Sequence, residues 1–507
     1  MKKILILSAL LGGALFSNAQ TLNDGLLYGT QDDLFGTARY RGLSGAFGAL
    51  GGDLTAVGEN PAGSVIFNNH FASFSLGYND QNNDTAYLGQ LNNSSEGDLD
   101  LNQAGVVFVF KSTDDATLNK FSLGLNYNIT RSYDDNVFFS GVNSNSIGDF
   151  FVNSANGFEL DNFETRDGES IDDLYLFLGE NVSFGAQQGF LGFQSFIIDP
   201  DDNEADNTEY SSNTGSGSFN QALNILSSGS QGKISVNGAI QLDEKWSLGL
   251  NLNSHYINYS RFTNFTEFNN NDDASVTDVE YNNLLTTDGA GFSFQLGFIG
   301  EVTESLRIGA TYESPTWYNI EESLSQEIFT RSVDEDGAEF FDEVRPNVVN
   351  LYAPFDLRTP GQITGSLAYI FGQQGLISVD YSSRDYSSLE FSPESDPLFA
   401  GNNAQAEDLL TRANTLRIGG EYRIDRLTLR GGYRTVGSPY ENEDIMSDLT
   451  GYSLGLGYNL GKTTIDLSYD YSERDYSQAV FNNGIFTTNG QVFNENSNVV
   501  LTVGFNF

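Results

Sequence analysis

The stretch 451–471, with the sequence GYSLGLGYNLGKTTIDLSYDY, decides the fold class of this chain. Apolar side chains such as Leu454 and Leu456 alternate with polar ones such as Ser453, and the alternation resumes after a short break at 461–462. Successive side chains of a β-strand point to opposite faces, so each half predicts a strand with one apolar and one polar face. The stretch therefore predicts two strands joined by a short turn, with one face in an apolar environment.

Fourteen segments of the chain share this alternation. They lie near 71–79, 104–111, 121–130, 233–242, 246–257, 290–299, 305–313, 362–371, 375–383, 415–424, 427–434, 451–460, 463–471 and 498–507. Connections after even-numbered segments are short, as at 243–245 and 425–426, whereas those after odd-numbered segments are long, and one spans about 131–232. A bacterial outer-membrane barrel has an even strand count, short periplasmic turns and long outer loops. A soluble sandwich has no reason to place every long loop on one side.

The predicted fold is all-β: a 14-stranded antiparallel transmembrane β-barrel over 71–507 with long extracellular loops. Its last segment ends in the aromatic Phe507, which resembles the signal recognised by the barrel-assembly machinery. Tyrosines cluster at segment ends, as aromatic girdles require. They are Tyr78, Tyr127, Tyr256, Tyr312, Tyr369, Tyr433 and Tyr458. We expect a monomer in the bacterial outer membrane, in contact with its lipid and inserted by that machinery.

The first 19 residues have the features of a secretory signal peptide. Lys2 and Lys3 precede an apolar run over 4–16, and the small residues at 17–19 suit a signal peptidase. The run is too short to cross a bilayer as a helix, and no later stretch of about 18 apolar residues follows. Cleavage after residue 19 would leave 22 basic and 68 acidic residues, a net charge of −46.

Composition argues against several function classes. The net charge of −44 opposes phosphate binding, so we expect no nucleic-acid partner. Cysteine is absent, and the two histidines, His70 and His255, leave little material for imidazole chemistry. No nucleophile elbow or phosphate loop is present, so the sequence predicts no enzyme and no cofactor. The acidic stretch 199–204 lacks the glycine and terminal glutamate of an EF-hand, which favours a solvated loop over a calcium site.

Residues 20–70 precede the first strand and contain the glycine-rich run GLSGAFGALGGDLTAVGENPAG at 42–63. Fourteen strands enclose more space than wall side chains can fill, and small residues allow close backbone packing there. We therefore predict a plug folded into the barrel lumen. A flexible periplasmic tail is the alternative, but apolar residues such as Phe47 and Leu50 are poorly suited to a solvated linker.

The fourteen-segment plan, the pre-barrel plug and the run at 42–63 resemble the FadL/TodX family of outer-membrane transporters for long-chain fatty acids and aromatic hydrocarbons. The family's Asn-Pro-Ala motif corresponds to Asn60, Pro61 and Ala62. The segment 352–371 is similar to the family's middle barrel.

The resemblance implies a mechanism of uptake. Outer loops would catch a hydrophobic ligand, a site beside the plug would bind it, and a gap at the third strand, here 121–130, would release it sideways. Gly124 could permit a kink in that strand. The motif at 60–62 and the plug residues Phe47 and Leu50 are then expected to contact the ligand.

Two further sets of residues are candidates for ligand binding. The long connection after the third segment, about 131–232, is called the third long loop. It is rich in apolar residues, including Phe177, Phe190 and Phe193, and is expected to be partly helical around 171–179. Such clusters mark binding surfaces, although a mini-core that folds the loop would also explain them. Arginines on the lumen-facing register could hold a fatty-acid carboxylate, or could pair with Glu421 and with plug acids such as Asp53. They are Arg307, Arg417, Arg423, Arg430 and Arg434.

Three functions compete at this point. Uptake of hydrophobic small molecules, most of all long-chain fatty acids, is the leading hypothesis. A barrel that docks exported proteins for secretion machinery is the second, since the outer loops are long and acidic. An outer-membrane lipid hydrolase is the third, and it would need a base such as His255 beside a nucleophile.

Overall fold

A computed structural model describes residues 20–30, 33–112, 117–334, 336–481 and 485–507. The predicted signal peptide, 1–19, lies outside the described residues. The helices are α1 Leu22–Gly29, α2 Ala38–Arg41, α3 Gly148–Ala155, α4 Ile171–Asn181, α5 Phe184–Gln194 and α6 Pro397–Leu409, and 3₁₀ turns span Ala56–Gly58, Pro61–Ile66, Leu160–Asn162 and Tyr386–Ser388. Within these ranges no helix is long and apolar enough to cross a membrane.

Strands make up most of the described chain. They are β1 Phe71–Tyr87, β2 Gln90–Lys111, β3 Leu118–Ser132, β4 Asp135–Asn143, β5 Ile198–Pro200, β6 Tyr210–Ser212, β7 Phe219–Leu242, β8 Trp246–Phe268, β9 Val276–Glu301, β10 Leu306–Glu313, β11 Trp317–Val333, β12 Glu339–Val344, β13 Asn350–Leu351, β14 Phe355–Arg358, β15 Gln362–Phe371, β16 Gly375–Asp385, β17 Glu390–Ser392, β18 Arg412–Ile424, β19 Leu427–Val436, β20 Leu449–Asn459, β21 Thr463–Ala479 and β22 Asn489–Asn506.

Antiparallel pairing closes these strands into a barrel. The order around the wall is β1, β2, β3, β7, β8, β9, then β10 with β11, β15 with β14, and β16, β18, β19, β20, β21 and β22, which pairs back with β1. Two of the fourteen wall strands are each interrupted, at 314–316 and at 359–361. All fourteen predicted segments lie in wall strands to within one residue at their ends, so the predicted barrel is confirmed.

The two faces of the wall differ as the alternation predicts. On β20, Tyr452, Leu454 and Leu456 are exposed on the outer face, whereas Ser453 is buried on the inner face. Lipid supplies the apolar surroundings that a soluble protein would have to build from its own core, so the large exposed apolar residues are stable there.

The strands extend beyond the segments that carry the alternation. The long connection expected between 79 and 104 is strand almost throughout, and β1 turns into β2 at Leu88 and Gly89, whose φ angles are 47° and 81°. Positive φ at both positions is the backbone of a tight hairpin turn. The prediction of a long loop here was wrong. Above the membrane a strand keeps its backbone hydrogen bonds, but no lipid contacts it, so its sequence does not need the alternation that marks the other segments.

The described part of the pre-barrel segment lies inside the ring. Backbone and side-chain groups of 38–64 form hydrogen bonds with inner-face groups on strands all around the wall. The pairs are Ala38 with Thr502, Arg41 with Asp470, Ser44 with Ser453, Phe47 and Gly48 with Asp380, Leu54 with Asn126, Val57 with Asn251, Gly58 with Gln295, Asn60 with Phe298, Pro61 with Asn237 and Ser64 with Ser122. We call residues 33–66 the plug segment.

Candidate functional site

The plug segment is held by buried charges. Arg41 forms a bidentate ion pair with Asp470 on β21, at 2.6 and 2.8 Å, and both side chains are buried. The carboxylate of Asp380 accepts the backbone N–H groups of Phe47 and Gly48, each at 2.8 Å. Charge-assisted hydrogen bonds of this kind are short and directional, so they fix the register of the plug against the wall.

The Asn-Pro-Ala motif also anchors the plug segment to the wall. The Asn60 side chain accepts from Ala62 N at 3.1 Å, which caps the 3₁₀ turn, and donates to the carbonyl oxygens of Gly48 and Phe298 at 2.6 and 3.0 Å. A Cβ at Gly297 would lie 2.1 Å from Asn60 Oδ1. The wall therefore comes so close that only glycine fits at this position.

Two plug carboxyls have opposite pKa shifts. Burial raises the pKa of Asp53, and Arg39 and the hydroxyl of Thr37, which donates at 2.7 Å, only partly oppose this. Burial also acts to raise the pKa of Glu59, but Arg417, whose Nη1 lies 2.9 Å from the carboxylate, outweighs that effect together with Lys233 and the hydroxyl of Tyr40, and the pKa is lowered. The ionised form of Glu59 therefore stabilises its contact with the wall.

A cavity of about 550 Å³ lies between α1 and the outer loops, away from the Asn-Pro-Ala motif. Wall strands, the third long loop, the segment 439–446 and the segment 472–481 enclose it. Much of the lining is apolar or aromatic. These residues include Leu26, Leu27, Tyr133, Val137, Phe150, Phe184, Leu223, Ile225, Tyr259, Leu285, Leu324, Tyr440, Ile445, Met446, Tyr476, Val480 and Phe481. A cavity of this size and lining is typical of small-molecule sites.

Helix α1 forms one side of the cavity, and arginines of the lining hold it there. Thr21 and Asp24 form a capping box at its first turn, and Arg261 Nη1 lies 3.0 Å from Asp24 Oδ1. Arg131 Nη1 donates to the carbonyl of Leu27 at 3.0 Å, near the helix end. A cation is favourable at the carbonyl end of a helix. Arg474 also lines the cavity.

The third long loop closes the cavity from outside. Its helix α4 covers 171–181, which confirms the predicted helical stretch. A buried hydrogen-bond network joins Gln188 on α5 to Tyr281 and Gln326 of the wall. Phe150 and Phe184 of this loop lie in the lining. The loop is thus fixed to the barrel and shapes the site.

The wall is irregular beside this region. The β2–β3 ladder ends at Gln103 opposite Asn128, and above that point the described residues of these two strands form no backbone ladder. Contact resumes higher up, where Ser94 Oγ donates to the carbonyl of Asn136 at 2.6 Å. We call this break in the ladder the seam. Gly124 itself is paired regularly with Val107 and Asn237, so the irregularity lies above it.

A model of the outer membrane protein transport protein family (OMPP1/FadL/TodX) matches residues 203–507. This chain belongs to the FadL/TodX family. It is therefore an outer-membrane transport protein, in a family whose cargo is hydrophobic small molecules. A FadL homologue from Pseudomonas aeruginosa is similar in structure, with a TM-score of 0.55 and 12% identity, over 94% of this chain and 99% of that chain. The toluene transporter TodX of Pseudomonas putida gives a TM-score of 0.49 and 13% identity over 94% and 99%. No curated protein matches significantly in sequence.

In this FadL/TodX family member, none of the sequence-predicted site residues lines the cavity. Phe47, Leu50, Asn60, Pro61 and Ala62 are buried in the plug segment, against the wall. As ligand contacts they remain predictions.

Four of the five predicted arginines form ion pairs with acids: Arg307, Arg417, Arg423 and Arg430. Three of these pairs involve Glu421 or a plug acid, as the alternative interpretation expected. Arg307 lies 2.6 Å from Glu301, Arg417 lies 2.9 Å from Glu59, and Arg430 contacts both Glu421 and Asp466.

The predicted loop phenylalanines divide into two groups. Phe190 is fully buried in the mini-core of the third long loop, and Phe193 packs against that core. Phe177 is 51% exposed on the outer surface, near the exposed Leu176. The mini-core interpretation therefore describes part of the loop, whereas the binding surface stays a prediction.

His255 contacts a serine hydroxyl, as the hydrolase hypothesis requires of a catalytic base. Its Nε2 lies 2.8 Å from Ser293 Oγ, but both side chains are buried within the wall, and Nδ1 has no hydrogen-bond partner among the described residues. Without a group that orients the ring, the pair lacks the third member of a catalytic triad.

The cavity residues were missed because no local pattern marks them. They come from α1, from the third long loop, from strand extensions without clear alternation, from the segment 439–446 and from the last long loop. The nearest sequence signal was the density of aromatic residues in these regions.

Proposed function

We propose that this chain takes up hydrophobic small molecules, most of all long-chain fatty acids, and that the cavity beside α1 is their binding site. The observation that carries the proposal is a cavity between α1 and the outer loops whose lining combines many apolar and aromatic side chains with polar ones. Apolar ligands gain free energy in such a space in proportion to the apolar area that leaves water.

A fatty acid fits the mixed lining better than a hydrocarbon does. Arg131, Arg261 and Arg474 place guanidinium groups in the lining, which also carries the carboxylates of Asp24, Asp33, Asp135 and Glu473. Arg261 pairs with Asp24 and Arg131 with Asp33, so a ligand carboxylate would compete with or join these pairs. Guanidinium groups suit carboxylates because they offer paired donors in one plane. Toluene has no group that accepts a hydrogen bond from a guanidinium, whereas a fatty-acid carboxylate does.

The proposed route has three steps. Exposed apolar residues of the third long loop, with Phe177 among them, would collect the ligand at the outer surface. The cavity would then bind it. Release would follow sideways through the seam, because the plug segment is hydrogen-bonded to strands all around the wall and would have to move to open a way to the periplasm.

The test is binding of radiolabelled oleate and of toluene to the purified protein in nanodiscs. We expect saturable oleate binding that exceeds toluene binding, and a smaller preference for oleate over oleyl alcohol in Arg474→Met. Arg166→Met, an exposed arginine in the third long loop, is the matched control and should keep that preference. Absence of saturable binding of either probe, together with copurification of secretion proteins, would favour the docking alternative.

A further inference from the structure

Three aspartates meet at the seam. Asp98 and Asp100 lie on β2, and Asp134 lies between β3 and β4. Carboxylate oxygens of the three lie within 4.8 Å of one another. Like charges so close together repel, and among the described residues none of the three forms an ion pair with Lys or Arg. The arrangement calls for a positive charge that the chain does not supply.

The uncharged side chain of Asn79, next to the aspartates, also indicates that a cation binds here. Asn79 on β1 is directly opposite Asp98 in the β1–β2 register, so the two side chains share the inner face of the wall. Asn79 is only 6% exposed, and none of the described residues donates a hydrogen bond to the Oδ1 atom of its side chain. The ionised carboxylates beside it cannot donate a hydrogen bond, whereas a cation would satisfy the amide oxygen and the carboxylates together.

We propose that Asp98, Asp100, Asp134 and Asn79 form a binding site for a divalent cation of the calcium type. All four ligands offer hard oxygens, which Ca²⁺ prefers, and Ca²⁺ tolerates irregular geometry. Nitrogen and sulfur ligands, which zinc sites use, are absent from this set.

The ligands come from both sides of the seam. Two aspartates and the asparagine lie on the β1–β2 hairpin, and Asp134 lies in the short connection that follows the neighbouring wall strand β3. A bound cation therefore joins the two strands where their backbone ladder does not. If the seam is the lateral exit, which rests on the proposed function, the cation holds that exit closed.

The first test measures Ca²⁺ alone. Purified full-length protein in detergent, treated with EDTA and dialysed, is titrated with CaCl₂ by calorimetry. We expect one Ca²⁺ per chain with a Kd of roughly 10⁻⁴ to 10⁻³ M, as in extracellular calcium modules. The double variant Asp98→Asn with Asp134→Asn should bind at least tenfold more weakly.

The matched control removes the same charge elsewhere. Asp202→Asn with Asp206→Asn changes two exposed aspartates in or beside the acidic stretch 199–204 and should leave Ca²⁺ binding unchanged. Heat-shifted migration in SDS gels verifies that each variant is a folded barrel. No saturable binding by the unmodified chain, or equal binding by the Asp98→Asn and Asp134→Asn variant, overturns the site.

A second test asks whether the cation bridges the seam. The chain contains no cysteine, so spin labels attach only at Leu101→Cys and Thr130→Cys, on either side of the seam. Ca²⁺ should narrow the label–label distance distribution, and EDTA should broaden it again. A distribution that does not respond to Ca²⁺ overturns the bridge. Neither test uses a hydrophobic ligand, so both are independent of the uptake proposal.

Discussion

The two halves of the barrel lumen are built differently. In the half that holds the plug segment, buried ion pairs and backbone hydrogen bonds join the plug to the wall, and wall glycines allow the backbones to touch. In the half beneath the outer loops, α1 leaves a cavity of about 550 Å³. We call the first half the closure and the second half the container. Under the proposed function, a ligand binds in the container without any opening of the closure.

The largest effect should come from the buried pair that fixes the plug. Arg41→Met removes both hydrogen bonds that the guanidinium donates to the buried Asp470 carboxylate, so we expect a loss of about 3–5 kcal/mol in unfolding free energy. Urea unfolding in micelles measures it. Arg166→Met, which removes an exposed pair with Asp161, should change little. Equal stability of the two variants would show that the closure does not depend on this pair.

The next largest effect concerns the affinity for oleate in the container, the half of the lumen that holds the cavity. Ile225 lines the cavity, and Ile225→Trp would fill part of it, so oleate should bind at least tenfold more weakly, which is about 1.4 kcal/mol. Leu250→Trp places the same ring on the lipid-facing side of the wall and should leave binding unchanged. If Ile225→Trp binds oleate as the unmodified chain does, the ligand lies elsewhere.

The third prediction concerns the pH dependence of an ion pair that stabilises the closure. Because the folded pKa of Glu59 is below its ordinary 4.5, its pairing with Arg417 stabilises the fold above that pH and is lost as pH falls through the folded pKa. Glu59→Gln should cost about 1–2 kcal/mol at pH 7 and less at pH 4. Unfolding measured at both pH values in the two proteins gives the comparison. A cost that does not depend on pH would contradict the ion pair.

The smallest effect is expected at the outer surface. Phe177→Ala removes an exposed apolar ring without opening a core cavity, so stability and equilibrium oleate affinity should stay constant. Uptake into cells should slow only a few-fold, because neighbouring apolar residues remain. Phe190→Ala, in the mini-core of the same loop, should instead destabilise the loop by about 3–5 kcal/mol.

The alternation of apolar and polar side chains was enough to predict fourteen wall strands, since lipid on one side imposes a strict period of two. The glycine-rich run was likewise enough to predict a segment packed in the lumen. The cavity could not be predicted, because Leu26, Phe150 and Val480, for example, are far apart in sequence and only the closed barrel brings them together. The extended β1–β2 hairpin was missed since both of its faces are polar above the membrane.

By itself the sequence determined the barrel, its strand count and its family, because these follow from periodicity and from local motifs. The tertiary structure alone decided which half of the lumen is filled, which arginines pair with which acids, and where the β2–β3 ladder ends. Those features depend on distances between groups that lie hundreds of residues apart, such as Arg41 and Asp470, and local side-chain patterns carry no information about such distances.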